Sequence, residues 1–211
     1  MAASDRMIMV VDRSTLFAEE YFQGFAPAAA HDYQSLIRDH YFYELRDKAE
    51  IMPQYKQPIA YAIIVHKESH EVFAYQRSSK EGQYNETRLR GKWSWGIGGH
   101  IDKIDIENGD PIRASLLREL SEELQIKQFD DPVILGYIND DETEVGSVHF
   151  GMLYLIMTSD RGVRPADAEI AWGGFMPVSQ LEEISQSSEA SVESWSAISL
   201  LPLKQALAKK R

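Results

Sequence analysis

The stretch Asp110-Pro111-Ile112-Arg113-Ala114-Ser115-Leu116-Leu117-Arg118-Glu119-Leu120-Ser121-Glu122-Glu123-Leu124 decides how the chain is read. At about 100° per residue, Ile112, Leu116, Leu117, Leu120 and Leu124 form one apolar arc, and Glu119, Glu122 and Glu123 fall together on a neighbouring arc. The pattern predicts a helix from Pro111 to Ile126. Three carboxylates spaced i, i+3 and i+4 repel one another by roughly a few tenths of a kcal/mol per pair, so the helix gains from the cluster only if a cation sits there. Hard divalent cations such as Mg²⁺ and Mn²⁺ take oxygen ligands of this kind. Taken alone, the same residues read better as a solvated acidic face than as a metal site.

The flanking sequence narrows the choice. Upstream stands Trp93-Ser94-Trp95-Gly96-Ile97-Gly98-Gly99-His100-Ile101-Asp102, a strand-like run broken by glycines where backbone approaches something closely or turns sharply. A glycine-rich break, a Gly109-Asp110-Pro111 helix start and an acidic helix follow in the order that a phosphate and metal site needs. Gly99 to Ile126 resembles the signature of the Nudix hydrolases (MutT-like), G-x5-E-x7-R-E-U-x-E-E-x-G-U with U apolar. Arg118, Glu119, Leu120, Glu122, Glu123 and Ile126 fall on it in register. Three departures stand out: about five extra residues around Lys103 to Glu107, Asp110 where the pattern has Glu, and Gln125 in place of the glycine after the paired glutamates. The resemblance extends over roughly Pro58 to Leu200. Residues 1–56 lie outside it, as an N-terminal extension of the kind found in Nudix proteins grouped as phosphoesterases.

The resemblance implies an α+β fold, a Nudix-like α/β/α sandwich with a mixed β-sheet between helices. It also implies metal-dependent hydrolysis of a diphosphate linkage in a nucleoside diphosphate derivative or related phosphorylated small molecule. Glu119, Glu122, Glu123 and the carbonyl of Gly98 are implied as ligands of Mg²⁺ (or Mn²⁺), with Arg118 orienting a carboxylate. Asp110 reads either as the acid of the motif or as an N-cap before Pro at N1. Glu169, six residues before Phe175, stands where some members carry a further glutamate serving as base; Asp140, Asp141, Glu142 and Glu144 compete for that task. Between Arg77 and Lys92 five basic residues face two acidic ones, which makes Arg77, Arg88 and Arg90 candidate phosphate contacts. Prenyl diphosphate isomerases share the fold but depend on a cysteine, and this chain has none. A catalytically weak nucleotide-sensing or partner-binding domain is the alternative.

Working outward, the rest of the chain reads as short β-rich runs at Ile59 to His66, Val72 to Tyr75, Val133 to Ile138, Val148 to Met157 and Phe175 to Val178. Helices are expected at Asp32 to Asp47, Ser179 to Ile184 and Val192 to Lys210, the last kinked or interrupted by Pro202. Ala26 to Ala30 reads as a loop. The domain plan is an aromatic-rich extension, 1–56, packed on a main domain, 57–211. Its aromatic residues need somewhere to bury, which suggests a homodimer.

Composition bounds what remains. With 22 Lys and Arg against 33 Asp and Glu, a net charge of −11 disfavours general nucleic-acid binding, though a small phosphorylated ligand stays compatible. No apolar run approaches the roughly 18 residues of a membrane span. The absence of cysteine removes disulfides, thiolate metal sites and thiol nucleophiles. The first thirteen residues carry Asp5, Arg6, Asp12 and Arg13 around a short apolar stretch, unlike a secretory leader, so a cytoplasmic location is expected.

Overall fold

The computed structural model describes residues 6–78, 89–166 and 170–209. In chain order the elements are β1 (Met7–Asp12), α1 (Arg13–Leu16), β2 (Gly24–Pro27), α2 (Tyr33–His40), β3 (Phe42–Leu45), α3 (Arg46–Ala49), β4 (Tyr55–His66), β5 (Val72–Arg77) and β6 (Trp93–Ser94). A 3-10 helix (Lys103–Asn108) precedes α4 (Pro111–Glu123). Then come β7 (Leu124–Gln125), β8 (Val133–Asn139), α5 (Glu144–Val148), β9 (His149–Thr158), β10 (Arg164–Pro165), β11 (Ile170–Met176), α6 (Val178–Gln186) and α7 (Ser194–Ala208). The chain forms two compact units, with β4, α4, β8 and β9 each contributing residues to both.

The first unit comprises Met1–Tyr61, Gly98–Arg118 and Ile134–Leu153. Its organising strand is β1, whose apolar run Met7-Ile8-Met9-Val10-Val11 is buried almost throughout. It pairs antiparallel with β3, from Met7↔Leu45 to Val10↔Phe42, and then with the start of β4 at Val11↔Lys56 and Asp12↔Tyr55. That pairing explains why β4 begins four residues earlier than its apolar pattern suggests: Pro58, which has no N–H to donate, falls beyond the last β1 pair. Ile8, Val10 and Ala49 form a small core against Phe42 and Tyr55.

The helix expected over Asp32 to Asp47 is shorter than its periodicity suggests. Asp32 caps it, accepting a 3.0 Å hydrogen bond from Ser35 N, but α2 stops at His40. Tyr41 is extended, and Phe42–Leu45 is claimed by β1. Three consecutive aromatics favour a pleated surface, and the tertiary partner decides the outcome. The Pro/Ala stretch read as a loop begins instead as β2, paired with β8 from Gly24↔Asn139 to Pro27↔Gly136. Phe17, Phe22 and Tyr33 pack edge-on or tilted around Phe150, with Tyr137 stacked on Phe150 at 5.8 Å. Each such pair contributes roughly 0.5–1.5 kcal/mol beyond its area. Tyr33 is buried and Phe17 and Phe22 are half-buried in this cluster, so these aromatics of the extension pack within their own chain.

The second unit comprises Ala62–Ile97, Glu119–Val133 and Tyr154–Arg211. Here β5 is the centre, pairing with β4 at Val65↔Val72, with β6, and with β11 from Ile170↔Arg77 to Met176↔Val72 across a bulge. The last strand therefore begins five residues before the Phe175 expected from sequence, because β5 supplies a template along its length. Two buried serines of α7 serve the glycine-rich segment: Ser196 Oγ accepts from Trp95 N at 3.0 Å and Ser199 Oγ from Trp95 Nε1 at 3.2 Å. Pro202 lies inside α7 without ending it, at the cost of one backbone hydrogen bond. No described helix is long and apolar enough to cross a membrane.

Candidate functional site

The acidic helix α4 starts on Asp110. Its Oδ1 accepts from Ile112 N at 3.1 Å, its carbonyl accepts from Ala114 N at 2.9 Å, and its Oδ2 accepts from Arg38 Nη2 at 2.6 Å. Asp110 is therefore the cap of α4, the plainer of its two readings. At the other end, without a glycine to turn the chain, Leu124 and Gln125 pass directly into an extended pair with Arg164 and Pro165. Gln125 Oε1 accepts from Arg164 Nε at 2.8 Å, and the carbonyl of Glu123 accepts from Ala166 N at 2.8 Å. Along the helix Glu119 is 9% exposed, Glu122 is exposed and Glu123 is half-buried.

Arg118 engages Asp105 closely, and Asp102 Oδ2 lies 3.6 Å from its Nη2. Arg118 Nε and Nη2 donate to the two oxygens of Asp105 at 2.9 and 3.0 Å, a two-pronged contact that fixes the guanidinium plane. Asp105 is 2% exposed, accepts also from Asp102 N at 2.8 Å, and closes the capping box of the 3-10 helix. Counting G-x5-E from Gly99 lands on Asp105, so this residue, and not Asp110, takes the motif position. The extra residues then lie between Asp105 and Arg118, not before the acid. The pattern itself carried this signal; placing the insertion ahead of the acid hid it.

Arg118 also ties α4 to the glycine-rich turn. Its Nη2 donates to the carbonyl of His100 at 3.0 Å, as does Ser115 Oγ at 3.2 Å. Replacing Asp105 with Asn is expected to cost about 1.5–3 kcal/mol, since Arg118 then faces a neutral amide instead of a carboxylate, and to lower kcat/KM by roughly 10–100-fold by loosening the two-pronged hold on Arg118. Asp110→Asn, which keeps a good cap, should leave kcat/KM near wild type. Steady-state kinetics and thermal unfolding of the two variants separate the roles.

Gly98 lies against the backbone of β4. A Cβ built there would sit 2.3 Å from the carbonyl oxygen of Ala60, and β4 cannot retreat because Ala62 and Ile97 exchange backbone bonds of 2.8 and 2.9 Å beside it. The glycine is thus required by close approach alone. Gly98→Ala is expected to destabilise by about 3 kcal/mol, read as a fall in Tm of about 10 °C.

The remaining candidates are placed as follows. Arg77 pairs with Glu193 and lies over the Tyr75 ring at 5.3 Å. Arg90 is half-buried. Arg88 and Glu169 lie outside the described residues. Asp141 is tied to Arg13, Lys56 and Tyr21, and Asp140 to Gln23 and Thr143, so both hold loops of the first unit together. His100, beside the glycine-rich turn, meets a residue remote in sequence, the buried His149, their Nε2 atoms 3.1 Å apart. Burial, then each other's charge and nearby arginines, push His100 well below the ordinary imidazole pKa; burial likewise lowers His149, against the pull of Glu50.

Comparison with known proteins gives this arrangement its context. The NUDIX domain model matches residues 56–196. The chain belongs to the Nudix family. It is 36% identical over 192 residues to protein YmaB of Bacillus subtilis (strain 168), covering 87% of this chain and 91% of that protein. The crystal structure of Tm1382, assigned to the Nudix hydrolases, superposes with a TM-score of 0.77 at 27% identity, covering 96% of this chain and all of that one. The NUDIX domain of Shewanella oneidensis NrtR, crystallised with ADP ribose, shares the fold at 16% identity and a TM-score of 0.51, over 72% of this chain and 88% of that one. Nudix membership assigns the chain to the hydrolases acting on pyrophosphate bonds, and its α+β class with a mixed sheet matches these neighbours.

Proposed function

We propose that this chain acts in the cytoplasm to hydrolyse the diphosphate linkage of a nucleoside diphosphate derivative or related phosphorylated small molecule, using Mg²⁺ or Mn²⁺. The observation that carries the reading is α4 of a Nudix chain, with Glu119, Glu122 and Glu123 one to five residues beyond an Arg118 that Asp105 holds in place. The donor set fits a hard divalent ion: carboxylate oxygens at i, i+3 and i+4, and no sulfur anywhere in the set.

Glu119, Glu122 and Glu123 would hold the ion, with the Gly98 carbonyl as a further oxygen. When bound, such an ion neutralises phosphate charge and makes water a stronger nucleophile near neutral pH. The chain's own contribution is positional. Arg118 fixes the start of the acidic turn, Glu119 or Glu122 accepts the proton of the attacking water, and Glu169 is a further candidate for that task. Arg90, with Arg77 and Arg88, remains the proposed source of positive charge for the substrate phosphates. With a net charge of −11 the chain suits a small ligand better than a polyanion.

The test is a panel of nucleoside diphosphate derivatives incubated with Mg²⁺, Mn²⁺ or EDTA in ¹⁸O-water. Cleavage should yield two phosphorylated products, one carrying the label, and only with metal. Ligand-induced stabilisation with no product from any compound would instead mark a nucleotide-sensing domain.

A further inference from the structure

Within the first unit, three side chains remote in sequence converge beside the glycine-rich turn: Glu50 at the end of α3, His100, and His149 at the start of β9. We propose that Glu50, His100 and His149 form a second, structural metal site for a divalent transition ion of the Zn²⁺ class, with the Gln57 amide oxygen as fourth donor. It is separate in residues and in chemistry from the carboxylates of α4.

The distances suit one ion. The His100 and His149 Nε2 atoms are 3.1 Å apart, Glu50 Oε1 is 3.6 Å from His100 Nε2, and one ligand atom from each of the three lies within 4.8 Å of the others. A four-coordinate ion with bonds of about 2.0–2.1 Å has ligand-to-ligand edges of about 3.3 Å. The His100–His149 and Glu50–His100 separations of 3.1 and 3.6 Å lie on either side of that value, and Gln57 Oε1, 2.7 Å from His100 Nε2, would move outward to join. Arg46 Nε, 3.5 Å from the same Glu50 oxygen, can keep its contact through the second carboxylate oxygen.

The hydrogen bonds behind the cluster select the right tautomer. His149 Nδ1 is 2.6 Å from the carbonyl of Val145, which can only accept, so Nδ1 carries the proton and the Nε2 lone pair faces the cluster. A metal-binding histidine is commonly held in this way from behind. His100 Nε2 lies 2.7 Å from Gln57 Oε1. It donates there when no ion is bound and ligates once its proton moves to Nδ1, with no change in net charge. Gln57 supplies a further oxygen at the cluster: its side chain is fully buried and its Oε1 faces His100 Nε2. Two imidazoles with a carboxylate select a borderline transition ion over Mg²⁺, which keeps to oxygen.

The site would anchor the turn whose His100 carbonyl receives Arg118 and Ser115. The test is equilibrium dialysis of the metal-stripped full chain against Zn²⁺ with Mg²⁺ in large excess. We expect one Zn²⁺ retained per chain and a Tm raised by several degrees. Co²⁺ in its place should give the visible absorption of a four-coordinate nitrogen and oxygen site. His149→Ala and Glu50→Gln should each weaken Zn²⁺ binding at least tenfold, and Glu122→Gln should leave it unchanged. If His149→Ala does not fold, Glu50→Gln, at the half-buried rim, decides. A wild type that retains no Zn²⁺, or retention that follows Glu122 and not His149 and Glu50, overturns the proposal, whatever the outcome of the hydrolysis assays.

Discussion

Glu119→Gln is expected to lower diphosphate cleavage by roughly two to three orders of magnitude, the scale on which a lost electrostatic stabiliser acts at a reacting centre. The fold should not suffer with it. Gln keeps the size of the side chain and its helix propensity, and removes like-charge repulsion toward Glu122 and Glu123, worth a few tenths of a kcal/mol per pair. Thermal unfolding without metal should therefore give a Tm equal to or slightly above that of wild type. Loss of rate with retained stability separates a metal-binding role from a structural one, because residues kept for chemistry are commonly neutral or costly for stability. If Glu119→Gln lost stability and rate together, Glu119 would be a packing residue of α4.

Asp141→Asn carries the largest expected effect on stability. Lys56 is fully buried, with Nζ 2.7 Å from Asp141 Oδ1, 2.8 Å from the carbonyl of Gly146 and 3.1 Å from that of His149. Arg13 and Tyr21 reach the same carboxylate. Burial alone would raise the Asp141 pKa, but hydrogen bonds from Arg13, Lys56 and Tyr21 outweigh it and hold the carboxyl well below the ordinary range. Burial pushes Lys56 the other way, below the usual lysine value, so removing its counter-ion leaves a charge it cannot easily keep. Breaking one side of a buried pair costs about 3–5 kcal/mol, a fall in Tm of about 10 °C or more for a chain of this size. The pH dependence follows from the sign of the shift. A carboxyl depressed in the folded state contributes its full stability above its unfolded pKa, near 4, and loses it as pH falls below that. The gap in stability between wild type and Asp141→Asn should therefore be widest near neutral pH and narrow below about pH 4. Denaturant unfolding at several pH values measures it.

What the sequence revealed follows from how local the information is. The apolar arc of α4 and the register of Arg118, Glu119, Glu122 and Glu123 are written in thirteen contiguous residues, and the structure has that helix as one element. The central strands were legible for the same reason, as short buried runs such as Val72 to Tyr75. Elements that depend on a distant partner were not. Met7–Asp12 has no alternation, being buried along most of its length, and becomes a strand because β3 and β4 flank it. Tyr41 to Leu45 continues a helical period yet leaves the helix to pair with β1. Asp105 was missed because an insertion shifts the spacing to Arg118. Glu50, Gln57, His100 and His149 are too far apart in the chain for any motif to join them.

The central claim is tested most directly by the rate of diphosphate cleavage as free Mg²⁺ is titrated upward from a metal-stripped start, in wild type and Glu122→Gln side by side. The account predicts no turnover without metal, saturating turnover in wild type, and a Glu122→Gln curve reduced at least a hundredfold with a weakened dependence on Mg²⁺. Turnover that persists in EDTA, or a Glu122→Gln curve that overlays wild type, would contradict it.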